Sequence, residues 1–451
     1  MQSYFANMTA VDDAPSCGSA EVDGFVSDED LYAERPDGAS TMSLLFNICI
    51  SFIGAGILSL PFAFSQIGLG LGCVTFAMVA LLCIYCMLIL IETKYTLERR
   101  NPASDRLDSF GAVGHACFGP VGRWIVDVPL ALSQVGFCIG YVLFITVNCK
   151  FLFGFAPHTV CTAAVPLLAW LVLQRHMKAL APFSLFADVA NLSAIVVVIA
   201  TDWMQLGYTS CAEFTDPKQQ PCRPDADDID LLGVTSMLPY FVGVAAYCFE
   251  GTALVLPLEA SSRSPKQFPR NFTLMLLVIT AVEIVFGALG YLAYGSRTAQ
   301  VITLNMPDGM FSLIVRVCLC GGLYFTFPIM MFPVVKLGDG MLAHRFEPES
   351  APFRHCSNVM RVALVLLALG IALLVPDFSV FMSLIGAFCC QWLAFILPAV
   401  FHLYACYPTG SMSTWRALLE VFIVVFGVLF AVIGTADAIA RLNAGGFQGH
   451  V

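Results

Sequence analysis

Long apolar stretches separated by short polar connections recur from about residue 44 to residue 436. A helix needs about 20 apolar residues to cross a bilayer. Runs near that length fall at about 44–66, 71–92, 121–149, 159–175, 183–203, 232–258, 272–295, 309–334, 358–376, 379–404 and 414–436. The pattern predicts an all-α membrane protein with eleven transmembrane helices, the fourth being the shortest.

Two of these runs carry helix breakers in their middle. The first reads SFIGAGILSLP from Ser51 to Pro61, and the sixth reads FEGTALVLP from Phe249 to Pro257. Glycine weakens a helix and proline removes a backbone donor. In hydrocarbon each unpaired N–H or C=O costs several kcal/mol, so a break survives only where it lines a cavity or meets a ligand. Paired interruptions in corresponding halves mark the substrate site of a secondary transporter. Five spans separate the start of the first from the start of the sixth, so the second half enters from the opposite face. The expected architecture is a 5+5 inverted repeat with broken helices 1 and 6, plus an eleventh helix outside the repeat.

Charge orients the chain. With the N-terminus cytosolic, sixteen Lys and Arg residues fall on the cytosolic side and five on the other, with Arg316 inside the eighth span. Such a bias follows the positive-inside rule. Gaining or losing one span would scramble it.

Composition agrees, with 58% hydrophobic and 12% charged residues. The net charge of -10 is concentrated in residues 1–40, where nine acids face Arg35 alone. This acidic segment is expected to be a disordered cytosolic tail, followed by a transporter domain over 41–436 and a short C-terminal tail over 437–451. An acidic chain of this kind excludes nucleic acid as a partner. No basic start followed by an apolar core is present, so no cleavable signal is expected. Of the eighteen cysteines most fall in apolar runs, and Cys83 and Cys86 are expected to pack rather than to hold a metal. Cys211 and Cys222 share a polar loop on the non-cytosolic side, where a disulfide between them is expected. No metal or cofactor is expected.

The breaks suggest their own chemistry. The half-helix that starts near Gly56 turns free N–H groups and its positive dipole end toward the cavity, which suits a carboxylate. The carbonyls that end the half-helix before Gly251 suit an ammonium. Carboxyl groups inside the spans are candidates for proton coupling, because an ionised side chain there costs a few kcal/mol. Asp127, Asp188, Glu250 and Glu283 qualify, with Glu420 an outsider in span 11. Glu250, at the second break, and Glu283 are the two chosen for proton coupling; a structural bond to exposed backbone is the other role open to Glu250. Asp127 beside Arg123 reads as an ion pair, Glu283 is expected to pair with Arg316, and Thr326 in the bent eighth span is a further candidate contact.

The segments IGAGILSLPFAFSQIG, FGPVGRWIVDVPLALSQVGFCIGYVLFI (118–145) and YCFEGTALVLPLEASSRSPKQFP (247–269) resemble the amino acid/auxin permease family. Within it they are most similar to the proton-coupled amino acid transporters and the vacuolar amino acid transporters of plants and fungi. The resemblance covers about 40–436 and implies a LeuT-like fold with alternating access. It places the substrate carboxylate near Gly54, Ala55 and Gly56 and the ammonium near the backbone of Cys248, Phe249 and Glu250. Ile53 and Gly251 complete the expected binding set. Sodium-coupled relatives carry an Asn shortly before the first-span glycines, where this chain has Phe52 before Ile53-Gly54. The implied function is secondary active amino acid transport, with a proton as the coupling ion. Alternatives are sodium coupling, or an amino acid sensor with incidental transport. The implied location is a vacuolar, lysosomal or plasma membrane. An enzyme is not expected, since no paired Asp, Ser/His or HExxH constellation lies in the spans.

Overall fold

A computed structural model describes residues 34–36, 38–101, 106–174, 181–208, 224–225, 228–307, 309–348, 350–375, 377–407 and 412–445. The first span is a bent pair, α1 (Thr41–Phe52) and α2 (Leu60–Ile67), joined through a 3-10 turn over Ala55–Ser59. Then come α3 (Leu69–Arg100), α4 (Phe110–Phe153), α5 (Pro157–Val172) and α6 (Ala181–Leu206). The sixth span is also broken, into α7 (Leu238–Cys248) and α8 (Thr252–Ser261). It is followed by α9 (Phe268–Tyr294), α10 (Met310–Ala343) and α11 (Ala351–Leu374). Span 10 runs through α12 (Phe378–Ile385), two π-helical turns and α13 (Leu397–Cys406), and α14 (Thr414–Asn443) closes the chain.

Local signals explain many of these limits. Ser40, Ser109, Ser350, Asp377 and Ser413 each accept a bond from a first-turn N–H of the helix they precede, which satisfies donors that no earlier turn can reach. Gly119 takes a positive φ of 63° just before Pro120, a conformation that favours glycine. The membrane-crossing part of α4 therefore starts where its apolar run begins.

Among the described residues, nine helices are long and apolar enough to cross a bilayer, and the bent first span makes ten. The expected fourth span is α5, apolar but only 16 residues long. That is short of the 20 or so that a crossing demands, so the count of eleven is not confirmed.

Packing follows the inverted repeat. In span 1, α2 packs on α9 of span 7, and in span 6, α7 packs on α3 of span 2. Span 5 meets spans 7 and 8, just as span 10 meets spans 2 and 3, and spans 3 and 8 cross each other. Exchanging the first five spans for the second five turns each of these contacts into another on the same list. The last helix, α14, breaks the symmetry by packing on spans 6 and 10.

Spans 6 and 10 meet backbone to backbone. A Cβ added to Gly386 would lie 1.8 Å from the Gly243 carbonyl oxygen, whereas at Gly370 it would meet nothing within 4 Å. Overpacking of this kind costs about 1–3 kcal/mol. Gly386→Ala is expected to lower the thermal melting point in detergent while Gly370→Ala leaves it unchanged. Equal melting of the two variants would contradict the packing described.

Candidate functional site

The first break begins where Ile53 donates its N–H to the Cys49 carbonyl, 3.0 Å away, and closes α1. Gly54 is extended, with φ -105° and ψ -173°, and the chain resumes as the 3-10 turn. The N–H groups of Gly54, Ala55 and Gly56 open that turn, so no earlier turn supplies them with acceptors. The two halves of the span differ in direction by 44°.

The second break lies within Thr235–Ser261, which still runs as one crossing segment, and among the described residues only the first span bends by more than 40°. Phe249 N–H returns to the Ala245 carbonyl at 3.2 Å and Glu250 N–H to Tyr247 at 3.3 Å. The carbonyls of Cys248 and Phe249 therefore end α7 without a helical partner. Close approach explains the glycines. A Cβ on Gly56 would lie 3.1 Å from both Cys248 Sγ and the Tyr247 ring, and one on Gly251 would lie 2.5 Å from the Phe52 ring. At Gly54 the same atom meets nothing within 4 Å. Gly56 and Gly251 thus bring the breaks together, while Gly54 leaves space.

Between them lies a cavity of about 50 Å³ open to water-sized molecules, several times the 10–15 Å³ or so that one water needs. Ser51, Phe52, Gly54, Ala55, Gly56 and Ile57 line it from span 1, and Tyr247, Cys248 and Glu250 from span 6. Phe137 and Tyr141 of α4, Glu283 of α9 and Met330 of α10 complete the wall. Phe137 stands edge-on to Tyr247 at 4.8 Å. Glu250 and Glu283 both enter this space, each with a buried Oε2 that has no hydrogen-bond partner. No lysine or arginine is among the lining residues.

Gly54, Ala55, Gly56, Cys248, Glu250 and Glu283 are thus brought together at one cavity, although the sequence places Glu283 more than thirty residues beyond Glu250. Ile53 and Gly251 are buried beside the cavity without lining it, and Phe249 packs away from it on Phe76 at 5.4 Å. The expected pairing of Glu283 with Arg316 does not form. Arg316 instead donates to the carbonyls of Thr303 at 2.9 Å and Met306 at 3.0 Å, holding the loop before its own helix. Thr326 donates to the Gly322 carbonyl, and Met330 one turn later is the residue of span 8 that reaches the cavity. Phe137 and Tyr141 were missed, though their spacing of four puts both on one helix face. Arg123 and Asp127 pair as expected, at 3.3 Å. Cys211 and Cys222 lie outside the described residues.

A second cluster seals one end of the bundle. Glu259, at the end of α8, is fully buried and accepts from Lys94 Nζ at 2.7 Å, the Tyr95 hydroxyl at 2.6 Å and Arg35 Nη2 at 3.3 Å. Arg35 also donates to the carbonyls of Glu259 and Ala260, at 2.8 and 2.7 Å. Just beyond, the backbones of Ala39 and Ser262 form a parallel bridge. The chain entering span 1 is thereby tied to the chain leaving span 6.

Residues 37–440 match the family model described as "Transmembrane amino acid transporter protein". The chain belongs to this family. The transporter is 34% identical over 436 residues to "Amino acid transporter AVT3C" of Arabidopsis thaliana, covering 92% of this chain and 94% of that one. It is 26% identical to "Vacuolar amino acid transporter 3" of Schizosaccharomyces pombe, covering 87% of this chain and 57% of that protein. Its fold is that of a Na+-coupled sialic acid symporter solved in a substrate-bound outward-open state, at a TM-score of 0.54 and 12% identity, over 93% of each chain. The expected family and its vacuolar branch stand, and the family is one of transporters rather than enzymes.

Glu259 is the shared acceptor that joins spans 1, 2 and 6 in the transporter. Removing one partner of a buried ion pair strands the other, at about 3–5 kcal/mol. Glu259→Gln is therefore expected to destabilise the folded protein by about 3 kcal/mol, the low end, because Lys94 keeps Asp108 at 2.9 Å. Thermal unfolding in detergent measures it, and an unchanged transition would remove the cluster's structural role.

Proposed function

We propose that the transporter carries amino acids in symport with protons, by alternating access to the cavity between its two broken helices. One observation supports this best: opposite helix ends face one cavity that also holds two carboxyl groups, each with one buried oxygen lacking a hydrogen-bond partner, and no cationic side chain. A zwitterion fits both ends. Its carboxylate meets the N–H groups of Gly54, Ala55 and Gly56, and its ammonium meets the carbonyls of Cys248 and Phe249.

The carboxyl groups then supply the coupling. Two carboxylates within one low-dielectric cavity repel each other and lack a compensating cation, so a bound proton or the substrate ammonium is what neutralises them. A proton delivered from the acidic side occupies Glu250 or Glu283 and leaves when the cavity opens to the other face. The cluster around Arg35 and Glu259 is the closed gate on the face where span 1 begins, which is the cytosolic face if the N-terminus lies there. The names of the fungal relatives favour a vacuolar membrane.

Reconstitution into liposomes without sodium, screened against the twenty amino acids, tests the reading. An imposed acid-outside gradient is expected to accelerate uptake. Glu250→Gln and Glu283→Gln should lose that acceleration while still exchanging labelled for unlabelled substrate. Uptake that follows a sodium gradient and ignores pH would overturn proton coupling. Gly56→Leu would push a side chain into Cys248 and Tyr247, and uptake should fall about tenfold or more, the equivalent of a 1.4 kcal/mol clash. Retained uptake by a normally folded Gly56→Leu protein would refute the placement of the substrate.

A further inference from the structure

His402 of α13 is wholly buried between two carboxylates on different spans. Its Nδ1 lies 2.8 Å from Glu420 Oε1 of α14, and its Nε2 lies 3.6 Å from Glu92 Oε1 of α3. A neutral imidazole has one N–H and one lone pair, so one ring nitrogen would confront an acceptor with no proton between them. Only the doubly protonated ring can donate on both sides. Nε2 makes no hydrogen bond in this arrangement, and neither does the buried Oε2 of Glu420. The site is open to adjustment on the Glu92 side.

The surrounding charges point the same way. Arg416 of α14 grips Glu92 through both oxygens, at 3.2 and 2.7 Å, and so balances it. The Tyr85 hydroxyl donates to Glu420 at 3.1 Å without neutralising it. Cys86 of α3 and Cys406 of α13 are the remaining titratable neighbours, and Arg100 is taken up by the Ala405 carbonyl. His402 Nδ1 and the Tyr85 hydroxyl are thus the groups that meet Glu420 Oε1. Glu92 and Arg416 keep about a third of their side chains exposed, at 28% and 32%, whereas His402 and Glu420 are at 0%. Glu92 is thus the partly exposed group nearest the buried ring.

We propose that His402 is a second proton-binding site, separate from the substrate cavity, whose occupancy clamps spans 2, 10 and 11 together and slows the transport cycle. A proton from water passes Glu92 to Nε2, no other bond is made or broken, and the resulting imidazolium holds α3 and α14 against α13. The link to transport runs through span 10, whose π-helical turn at Gly386–Cys390 packs directly on α7 at the substrate cavity. None of His402, Glu92, Glu420, Arg416 and Tyr85 lines that cavity. A metal is the rival occupant, since ligand atoms of Glu92, His402 and Cys406 lie within 4.8 Å of one another. It is disfavoured because the Arg416 guanidinium already occupies both Glu92 oxygens.

The inference rests on amino acid transport but not on its coupling to protons, and substrate exchange at equal pH on both sides of the liposome separates the two. The unaltered protein should exchange more slowly as pH falls, by about tenfold per unit at the steepest, the limit for one proton. His402→Gln should abolish that acid slowing without changing the KM for the amino acid. If His402→Gln does not fold, Glu420→Gln, which removes the acceptor facing Nδ1, should displace the pH curve. A curve unmoved in whichever of these variants folds overturns the proposal. So does one equivalent of zinc retained by the purified protein and lost in Cys406→Ser. Absence of any exchange by the unaltered protein would instead defeat the transport reading itself.

Discussion

A peptide group in hydrocarbon must find a partner within the protein, and the two interrupted helices are where this transporter leaves that requirement unmet. Everything around them limits the cost. The N–H groups at Gly54–Gly56 and the end of α7 at Cys248 open into a shared cavity instead of lipid. The 3-10 turn keeps the gap short, and Ser59 steadies it by donating to the Gly56 carbonyl at 3.3 Å. Placing the breaks opposite one another concentrates the unpaired groups around one cavity.

That placement depends on small residues. Gly56 and Gly251 let span 1 and span 6 approach until ring and thiol touch backbone, and Gly243 against Gly386 does the same for spans 6 and 10. Such contacts replace the hydrophobic drive that lipid-exposed helices lack between themselves. The π-helical turns of span 10 belong to this arrangement, because the first of them starts at Gly386 and lies on α7.

Charge is divided between two kinds of setting. Around Glu259 and around Arg361 the ionised groups are closely paired, with Arg361 donating to Asp339 at 2.8 Å and to the Val172 carbonyl at 3.0 Å. Such pairs hold elements in register. In the cavity between the two breaks one oxygen of each carboxyl group, Glu250 and Glu283, has no hydrogen-bond partner. His402 stands between the two cases, bonded firmly on one side and loosely on the other.

By itself the sequence determined the all-helical membrane fold and the two breaks, because apolar run length and glycine and proline placement are local features that survive any packing, whereas the count of eleven spans is not confirmed. The breaks also marked Gly54, Ala55, Gly56, Cys248 and Glu250 for the site, since a disrupted helix exposes its own neighbours. Only the tertiary structure brought Glu283, Phe137, Tyr141 and Met330 to the same cavity, directed Arg316 to loop carbonyls and set His402 between Glu92 and Glu420. A helix that is apolar on nearly every face carries little sign of which face turns inward. That rotation is decided by how neighbouring helices fit against it, and the polar contacts between distant spans follow from the fit.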